Sequence, residues 1–530
     1  MSKMKVLISD KLSKQGINVL SDDFVVDINT GLSETQLVEI IGNYDALIVR
    51  SQTKVTEKII KAASKLKIIG RAGVGVDNID VMAATKKGII VVNSPEGNTI
   101  AAAELAFALL LSMARNIPFA HASLQKGEWK RSDFKGIELY GKYLGVIGLG
   151  KIGSRVVKYA KTMGMDVFGY DPYVNYEYAK KIGVTLTPLD EIIENADFLS
   201  FHIPKNEETY HLVDKDKFNI MKDGVMIVNA ARGGIIVEKD LKDAVASGKI
   251  RAASVDVFEN EPIAEGHVLL QQDRIITTPH IGAVTEEAQE NVAIDVAEQI
   301  NIVLAGGQAR SAVNIPSLKQ EILDPVKDFI GLSVKLGTFA AQLAHREAIN
   351  KIEIEYKGEL ASKNVAPLKL AVLKGILFSV VREEVNFVNA EIIAKDRDIS
   401  TVEIKYEDVS DYKNLISVNI NTGKNIYMVS GTTFEDIGDM IVAINSQKIN
   451  VKPEGRFLIV PNDDQPGIIG KIGTVLGDNK VNIANMLVGR ESKGGNAIMI
   501  VSVDQNVDKD IIAQLESFAG IRGTIKQVSL

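Results

Sequence analysis

The sequence contains no cysteine among its 530 residues. This absence excludes disulfide bonds, thiolate metal ligands and a cysteine nucleophile, and it is typical of a reducing compartment. A long apolar run is also missing, since the most apolar stretch, residues 100–114, is interrupted by Glu104 and is shorter than the roughly 20 residues of a membrane span. The amino-terminal residues lack a signal-peptide pattern. We therefore expect a cytoplasmic protein without a membrane partner or a metal cofactor.

An excess of positive charge is absent as well. The chain has 61 Lys and Arg against 68 Asp and Glu, a formal net charge of −7. Nucleic-acid binding calls for clustered basic residues, so we expect no nucleic-acid partner. A small anionic substrate stays compatible with this balance, because a few local arginines decide its binding. A single core stops growing near about 250–300 residues, so the length predicts several domains.

The hydrophobic pattern predicts two α/β domains followed by two α+β domains. Near-continuous apolar strands indicate parallel sheets covered by helices, and they are predicted at 5–8, 24–28, 46–49, 67–69, 89–92, 143–147, 166–170, 198–202, 225–229, 252–258 and 275–277. From about 318 to 450 the strands alternate, which is typical of a sheet with one wet face. From about 455 the order is β-α-β-β-α-β, a ferredoxin-like unit.

A dinucleotide site is predicted after the strand 143–147. Gly148, Gly150 and Gly153 form the pattern G-x-G-x-x-G between a strand and a helix, and Asp171 follows the next strand. The glycines allow a pyrophosphate to approach the helix N-terminus, and an acidic side chain at that place accepts hydrogen bonds from the ribose 2′-hydroxyl. A carboxylate there would repel the 2′-phosphate of NADP, so NAD is favoured. The glycine pattern alone also fits a flexible turn.

A catalytic set is predicted where the strands of the second sheet end. Arg232, Glu261 and His280 each follow a different strand, and ligands of such sheets bind beyond the carboxyl ends of the strands. Histidine suits general acid/base work near neutral pH, a carboxylate orients its ring, and arginine anchors a carboxylate. The alternatives for the single residues are a structural histidine, an arginine that contacts a phosphate or the backbone, and a glutamate in a surface turn.

The motifs within 148–153, 229–234, 256–262 and 279–283 resemble those of the D-isomer-specific 2-hydroxyacid dehydrogenases. The resemblance covers roughly residues 1–316 and implies a substrate domain from 1–97 and 287–316, with an NAD domain at 98–286. It departs from the family at Val284, where a serine is usual. The implied cofactor-binding residues are Gly148, Gly150, Lys151, Ile152, Gly153, Asp171, His202, Ile203, Pro204, Thr209, Ala230, Arg232, Asp256, His280 and Gly282.

The substrate is predicted from the first domain. Arg50 with Ser51, Arg71 with Gly73, and Asn98 lie where an anion could meet donors, although Arg50 and Arg71 would equally fit domain-interface ion pairs. The whole chain resembles the long members of this family, which oxidise 3-phosphoglycerate to 3-phosphohydroxypyruvate with NAD on the route to serine. That resemblance implies an intervening domain at 317–452 and an ACT domain at 453–530. It also implies that Arg131 reaches the phosphate from a neighbouring subunit of a homodimer or homotetramer.

An effector site is predicted in the last domain. Asn462, Asp464 and Asn482 lie at its first turn and at its second strand, and the resemblance implies that such residues bind L-serine between paired subunits. A structural dimerisation module is the alternative for this domain. For the whole chain, a glycerate or hydroxypyruvate reductase and an NAD-sensing binding protein are the competing functions.

Overall fold

The structure is a computed structural model that describes residues 3–20, 22–315, 320–345, 347–381, 385–407, 411–445, 447–490 and 492–530. The predicted boundary between residues 316 and 317 lies outside the described residues. The fold class predicted from the sequence is confirmed, with two parallel sheets, a mixed sheet and a ferredoxin-like sheet in chain order. The predicted domain limits stay a prediction.

The first sheet is parallel and has the flavodoxin-like order β2-β1-β3-β4-β5. Its strands are β1 (Met4–Ile8), β2 (Phe24–Ile28), β3 (Ala46–Val49), β4 (Ile68–Arg71) and β5 (Ile90–Asn93). The helices around it are α1 (Lys14–Val19), α2 (Glu34–Ile40), α3 (Glu57–Ala62) and α4 (Val81–Lys86). All four residues of β3 are buried, which explains why this strand reads as a continuous apolar run.

Two helices lead into the second sheet, α5 (Thr99–Ala114) and α6 (Ile117–Gln125). They are bent by 62° and together match a membrane span by length and composition, whereas no single described helix is long and apolar enough to cross a bilayer. Much of α5 packs in the core below the second sheet, including Phe107, Leu110 and Met113. The apolar character of this stretch is therefore that of a core helix.

The second sheet is parallel, with the order β12-β11-β10-β9-β6-β7-β8. Its strands are β6 (Tyr143–Ile147), β7 (Asp166–Tyr170), β8 (Thr185–Leu186), β9 (Phe198–Phe201), β10 (Val225–Asn229), β11 (Ile250–Val255) and β12 (Ile275–Thr277). The helices are α7 (Lys151–Thr162), α8 (Tyr176–Ile182), α9 (Leu189–Asn195), α10 (Lys215–Ile220) and α11 (Glu238–Ala246). Counting from β6, this is the dinucleotide-binding order, and its switch point lies between β6 and β9.

The chain then returns to the first sheet through α12 (Glu286–Leu304). Val292, Val296 and Ile300 on this helix share a core with Ile8 and Ile68 of the first sheet. The unit around the first sheet is therefore built from residues that precede the second sheet in the chain and from residues that follow it.

The remaining strands form two sheets. The mixed sheet contains β13 (Lys351–Gly358), β14 (Ser400–Tyr406), β15 (Asn414–Asn421), β16 (Ile426–Phe434), β17 (Gly438–Ile444) and β18 (Gln447–Val451), and its helices are α13 (Gln320–Leu323), α14 (Ile330–Leu343), α15 (Ala366–Val380) and α16 (Ala390–Asp396). The last sheet contains β19 (Arg456–Asp463), β20 (Ile483–Arg490), β21 (Asn496–Val503) and β22 (Lys526–Ser529), with α17 (Ile468–Asp478) and α18 (Lys509–Glu516). These two sheets share one core, in which Phe339 meets Phe457.

Candidate active site

The glycine-rich loop after β6 has a shape that only glycine permits. Gly148 has a φ of 93°, and a Cβ there would lie 2.4 Å from the His202 carbonyl oxygen. A Cβ at Gly153 would lie 1.9 Å from the Gly148 carbonyl oxygen. The loop therefore packs against the end of β9 and against its own helix, as the first and third glycines of a dinucleotide fingerprint do.

The middle of this loop is open, which fits a pyrophosphate. Gly150 caps α7, and a Cβ added there meets no described atom within 4 Å. The N–H groups of the first helical turn, at Lys151 and Ile152, have no partner within the helix and favour an anion. The Asp171 carboxylate accepts hydrogen bonds from the Leu149 and Tyr173 N–H groups, each at 2.9 Å. Its oxygens keep further lone pairs for a ribose.

His202 follows β9, the strand across the switch point from the glycine loop. Its N–H donates to the Ile147 carbonyl at 2.7 Å, and its Nε2 lies 2.8 Å from the Ser200 hydroxyl. Burial lowers the pKa of His202 to about 4, so the ring is neutral near pH 7. The turn after Ile203 is held by the Thr209 hydroxyl, which donates to the Pro204 carbonyl at 2.7 Å.

Arg232 lies in a tight turn at the end of β10. The Asn229 side chain holds this turn by accepting the Ala231 N–H at 3.1 Å and donating to the Arg232 carbonyl at 3.0 Å. Ala230 lies within the same turn. A Cβ at Gly233 would lie 1.8 Å from the Phe258 carbonyl oxygen, so the turn packs directly against the segment that follows β11.

His280 and Glu261 form a hydrogen-bonded pair, with 2.6 Å between His280 Nδ1 and Glu261 Oε2. The other carboxylate oxygen accepts the Phe258 N–H at 2.8 Å. Burial acts to raise the pKa of Glu261, but the hydrogen bonds from His280 and Phe258 outweigh it and leave the pKa below its ordinary value. The glutamate is therefore an ionised partner that fixes the ring of His280 at Nδ1.

Asp256 shapes the loop that carries His280. Its fully buried carboxylate accepts hydrogen bonds from the Thr278 hydroxyl at 2.6 Å, the Ile281 N–H at 2.9 Å and the Gly282 N–H at 3.0 Å. Burial raises the pKa of Asp256, and these bonds oppose the shift. The sequence predicted a cofactor contact for Asp256 and Gly282; in the described residues, their hydrogen bond joins them to each other.

Arginines of both α/β units meet beside this pair. Arg232 Nε lies 3.4 Å from Asp77 Oδ2 of the first unit, and a positive charge on Arg232 acts on both Glu261 and Arg71. Burial, and after it the charge of Arg232, lower the pKa of Arg71 to about 10. A Cβ at Gly73 would lie 1.6 Å from Arg71 Nη1, so this glycine leaves room for the guanidinium. Arg71 Nε is buried and has no hydrogen-bond partner among the described residues.

The loop of Arg50 and Ser51 is clamped by two residues that the sequence analysis missed. Asp10 is buried and accepts the Arg50 N–H at 2.6 Å and the Thr53 N–H at 3.1 Å. Asn78 donates to the Arg50 and Thr53 carbonyls, each at 2.7 Å. Asp10 is the second residue after the first predicted strand, 5–8, so the rule that pointed to Arg50 could have found it.

Two further predicted substrate residues, Asn98 and Arg131, differ in their exposure. Asn98 caps α5, and its Oδ1 is buried without a hydrogen-bond partner among the described residues. Arg131 is exposed at the start of a 3-10 helix, Arg131–Phe134.

The predicted effector residues do not converge within one chain. Asn462 is buried and donates to the Asp463 carbonyl at 2.8 Å, while its Oδ1 has no partner among the described residues. Asp464 accepts the Gly494 N–H at 2.9 Å and Arg490 Nη1 at 3.1 Å, and these contacts lower its pKa. Asn482 is exposed and donates to Asp504 at 2.7 Å.

Three family models match successive parts of the chain. Residues 107–282 match the D-isomer specific 2-hydroxyacid dehydrogenase, NAD binding domain. Residues 325–445 match the D-3-phosphoglycerate dehydrogenase intervening domain, and residues 458–520 match the ACT domain. The order agrees with the resemblance drawn from the sequence, and the NAD-binding assignment of the second sheet is confirmed.

Relatives match along nearly the whole chain. D-3-phosphoglycerate dehydrogenase from Synechocystis sp. is 47% identical, covering 98% of this chain and 93% of the relative. That from Methanocaldococcus jannaschii is 44% identical, covering 98% of both chains. Among solved structures, D-lactate dehydrogenase from Aquifex aeolicus complexed with NAD and lactic acid is 29% identical with a TM-score of 0.51, covering 57% of this chain and 96% of that one. The chain belongs to the D-3-phosphoglycerate dehydrogenases, within the NAD-dependent D-isomer-specific 2-hydroxyacid dehydrogenases.

Proposed function

We propose that the protein oxidises 3-phospho-D-glycerate to 3-phosphohydroxypyruvate with NAD, the first step of the phosphorylated route to L-serine. The observation that carries the proposal is the His280–Glu261 pair at 2.6 Å beside a group of arginines from two units of the chain. Arg232 connects the two parts, since its charge acts on both Glu261 and Arg71. The membership in the family supports the same substrate.

His280 acts as the general base. Its Nδ1 is engaged by Glu261, so Nε2 is the nitrogen left to take the proton from the substrate 2-hydroxyl. Glu261 stabilises the imidazolium that results, as a carboxylate does beside any catalytic histidine. Bound NAD supplies the hydride acceptor. In the reverse direction the imidazolium returns the proton to the carbonyl oxygen.

The arginines bind the anionic ends of the substrate. Arg232 lies nearest to the acid/base pair and holds the carboxylate next to the reacting carbon, for which a guanidinium offers a planar fork. Arg50 and Arg71, with Ser51 and Asn98, receive the rest of the substrate from the first unit. The partner subunit's Arg131 adds a charge at the phosphate.

Asp171 sets the preference for NAD. Its carboxylate is held beside the glycine loop by the Leu149 and Tyr173 N–H groups, at the place where the adenine ribose is bound in this fold. A ribose with two hydroxyls donates to this carboxylate, while a 2′-phosphate meets its negative charge.

Regulation and assembly form the second part of the proposal. L-serine binds at Asn462, Asp464 and Asn482 between the ACT domains of paired chains, in a cytoplasmic homodimer or homotetramer. The separation of these residues within one chain supports a site completed by a second copy. In one chain, Asn482 pairs with Asp504 and Asp464 pairs with Arg490.

The test is NADH formation from D-3-phosphoglycerate with removal of the product, with and without millimolar L-serine. We expect turnover with NAD, much less with NADP, and suppression by serine. D-glycerate is the matched control substrate, because it lacks only the phosphate. Faster oxidation of D-glycerate than of D-3-phosphoglycerate would indicate a glycerate reductase instead. Turnover that is insensitive to serine would contradict the proposed role of L-serine as effector.

A further inference from the structure

One carboxylate outside the acid/base pair bridges two parts of the loop that carries Glu261. Glu238 begins α11, shortly after the Arg232 turn. Its Oε1 accepts the Glu259 N–H at 2.8 Å, and its Oε2 lies 3.0 Å from His267 Nε2. The side chains of Glu238 and His267 are each only 15% exposed. Both contacts of this carboxylate therefore leave its helix and reach the loop between β11 and β12.

His267 is oriented to donate to this carboxylate. Its ring packs edge-on against Phe258, with centroids 5.4 Å apart at 83°. Its Nδ1 accepts the Leu269 N–H at 3.4 Å, which assigns the ring hydrogen to Nε2 and so to the bond with Glu238. The neutral ring thus suffices for this contact.

The bridge reaches the acid/base pair through two successive peptide groups. The Glu259 N–H donates to Glu238, and the neighbouring Phe258 N–H donates to Glu261 Oε1 at 2.8 Å. Glu261 holds His280 with its other oxygen. On the opposite side, the Phe258 carbonyl packs against Gly233 in the Arg232 turn. A displacement of Glu259 would therefore change the positions of both Glu261 and Arg232.

A second anchor holds the same loop by a side chain. The Glu259 carboxylate accepts a hydrogen bond from the Tyr210 hydroxyl and lies 3.2 Å from His211 Nε2. Loss of the Glu238 contacts alone therefore loosens the loop without releasing it. A helix-dipole role does not account for Glu238, because a carboxylate acting only on the dipole needs no partner in a distant loop.

We propose that Glu238 is a positioning residue: with His267 it holds the Phe258–Glu259 peptide, and thereby sets Glu261 and His280 against the Arg232 turn. The proposal rests on the proposed function, since it concerns how the acid/base pair of that function is placed. Glu238 acts through Glu261 and has no contact with the reacting groups. Its loss is expected to lower the rate of the chemical step and to leave cofactor binding intact.

The test combines Glu238→Ala with His280→Ala in a double-mutant cycle on the full-length enzyme. Glu238→Ala is expected to lower kcat by about tenfold or more, with the KM for NAD changed less than about twofold. In the His280→Ala background the same substitution is expected to change kcat less than about twofold, because groups that act as one unit are not additive. Glu238→Gln keeps an oxygen for the Glu259 N–H but loses the acceptor for His267, and is expected to recover part of the loss.

Asp240→Ala is the matched control, since Asp240 lies on the same helix and accepts the Lys215 N–H at 3.0 Å, away from the acid/base pair. It is expected to leave kcat within about twofold. An equal loss from Glu238→Ala in both backgrounds, or an equal loss from Asp240→Ala, would overturn the proposal in favour of a general structural role.

A second readout requires no turnover. The low-field proton resonance of the His280 Nδ1–H, assigned by its loss in His280→Ala, reports the bond to Glu261 directly. It is expected to shift or broaden in Glu238→Ala and to stay in Asp240→Ala. An unmoved resonance in an active enzyme overturns the positioning role. A moved resonance in an enzyme that does not oxidise 3-phosphoglycerate supports positioning while the proposed substrate fails.

Discussion

The carboxyl edge of the second sheet and the first turn of the ACT domain hold their candidate residues in opposite ways. At the sheet edge, Glu261 and His280 meet at 2.6 Å within a single chain. In the ACT domain, Asp464 and Asn482 are each engaged by a local partner, Arg490 and Asp504. One set is assembled by the fold of a single chain, and the other is proposed to be completed by a second copy.

The difference follows from topology. Parallel strands bring all their carboxyl ends to one edge, so loops far apart in sequence are obliged to meet there. The antiparallel last sheet sends successive strand ends to opposite edges, and its order β20-β21-β19-β22 places β20 at the border. A polar residue beside β20 can thus face a neighbouring molecule as readily as its own chain. Chemistry is expected to depend on the first set, and control on the second.

The largest effect is expected from breaking the assembled set. His280→Ala should lower kcat for 3-phosphoglycerate oxidation by about 10² or more, because general acid/base help is lost. The loss should appear with saturating NAD, in the presence or absence of L-serine. The measurement is steady-state NADH formation, with cofactor affinity followed by fluorescence as a control. Retention of most of the activity would contradict the role of His280 as the general base.

A smaller effect is expected from the set that a second copy is proposed to complete. Asn482→Ala should raise the L-serine concentration needed for half-inhibition by about 3- to 10-fold, as expected for one lost hydrogen bond, with kcat unchanged. Asn479→Ala is the matched control, because the Asn479 amide bonds its own helix at Val475. Unchanged serine sensitivity in Asn482→Ala, or an equal change in Asn479→Ala, would remove Asn482 from the effector site.

The smallest effect concerns acid stability at the sheet edge. The pKa of His202 is about 4 in the folded protein, below its ordinary value of about 6.5, so the unfolded chain takes up a proton first as the pH falls. The stabilising effect of the neutral ring is complete above about pH 6.5 and is lost toward pH 4. His202→Gln should reduce the loss of unfolding free energy between pH 7 and pH 5.5 by roughly 1 kcal/mol. Urea unfolding of the wild-type protein and of His202→Gln at the two pH values measures this difference. An equal loss of unfolding free energy in the two proteins would contradict a neutral, buried His202.

Much of the fold could be predicted because buried parallel strands appear in the sequence as continuous apolar runs. The predicted strands 46–49 and 143–147 coincide with β3 and β6. The predicted strand 252–258 was wrong at its end, since β11 stops at Val255. Hydrophobicity continues through Val257 and Phe258 because both are buried, although the backbone pairing has ended. Asp256 and Phe258 consequently lie in the loop that organises His280 and Glu261.

The sequence by itself determined the two α/β units, the glycine loop, the order of Arg232, Glu261 and His280 behind successive strands, and the family. These features follow from hydrophobic period and local turn chemistry, which act over a few residues. The tertiary structure decided the rest, including the clamp on the Arg50 loop by Asp10 and the bridge from Glu238 to Glu259. In each case a carboxylate accepts a backbone N–H that lies far away in sequence, 40 residues for Asp10 and 21 residues for Glu238. The sequence does not indicate which distant N–H a carboxylate accepts, because only tertiary packing brings the two groups together.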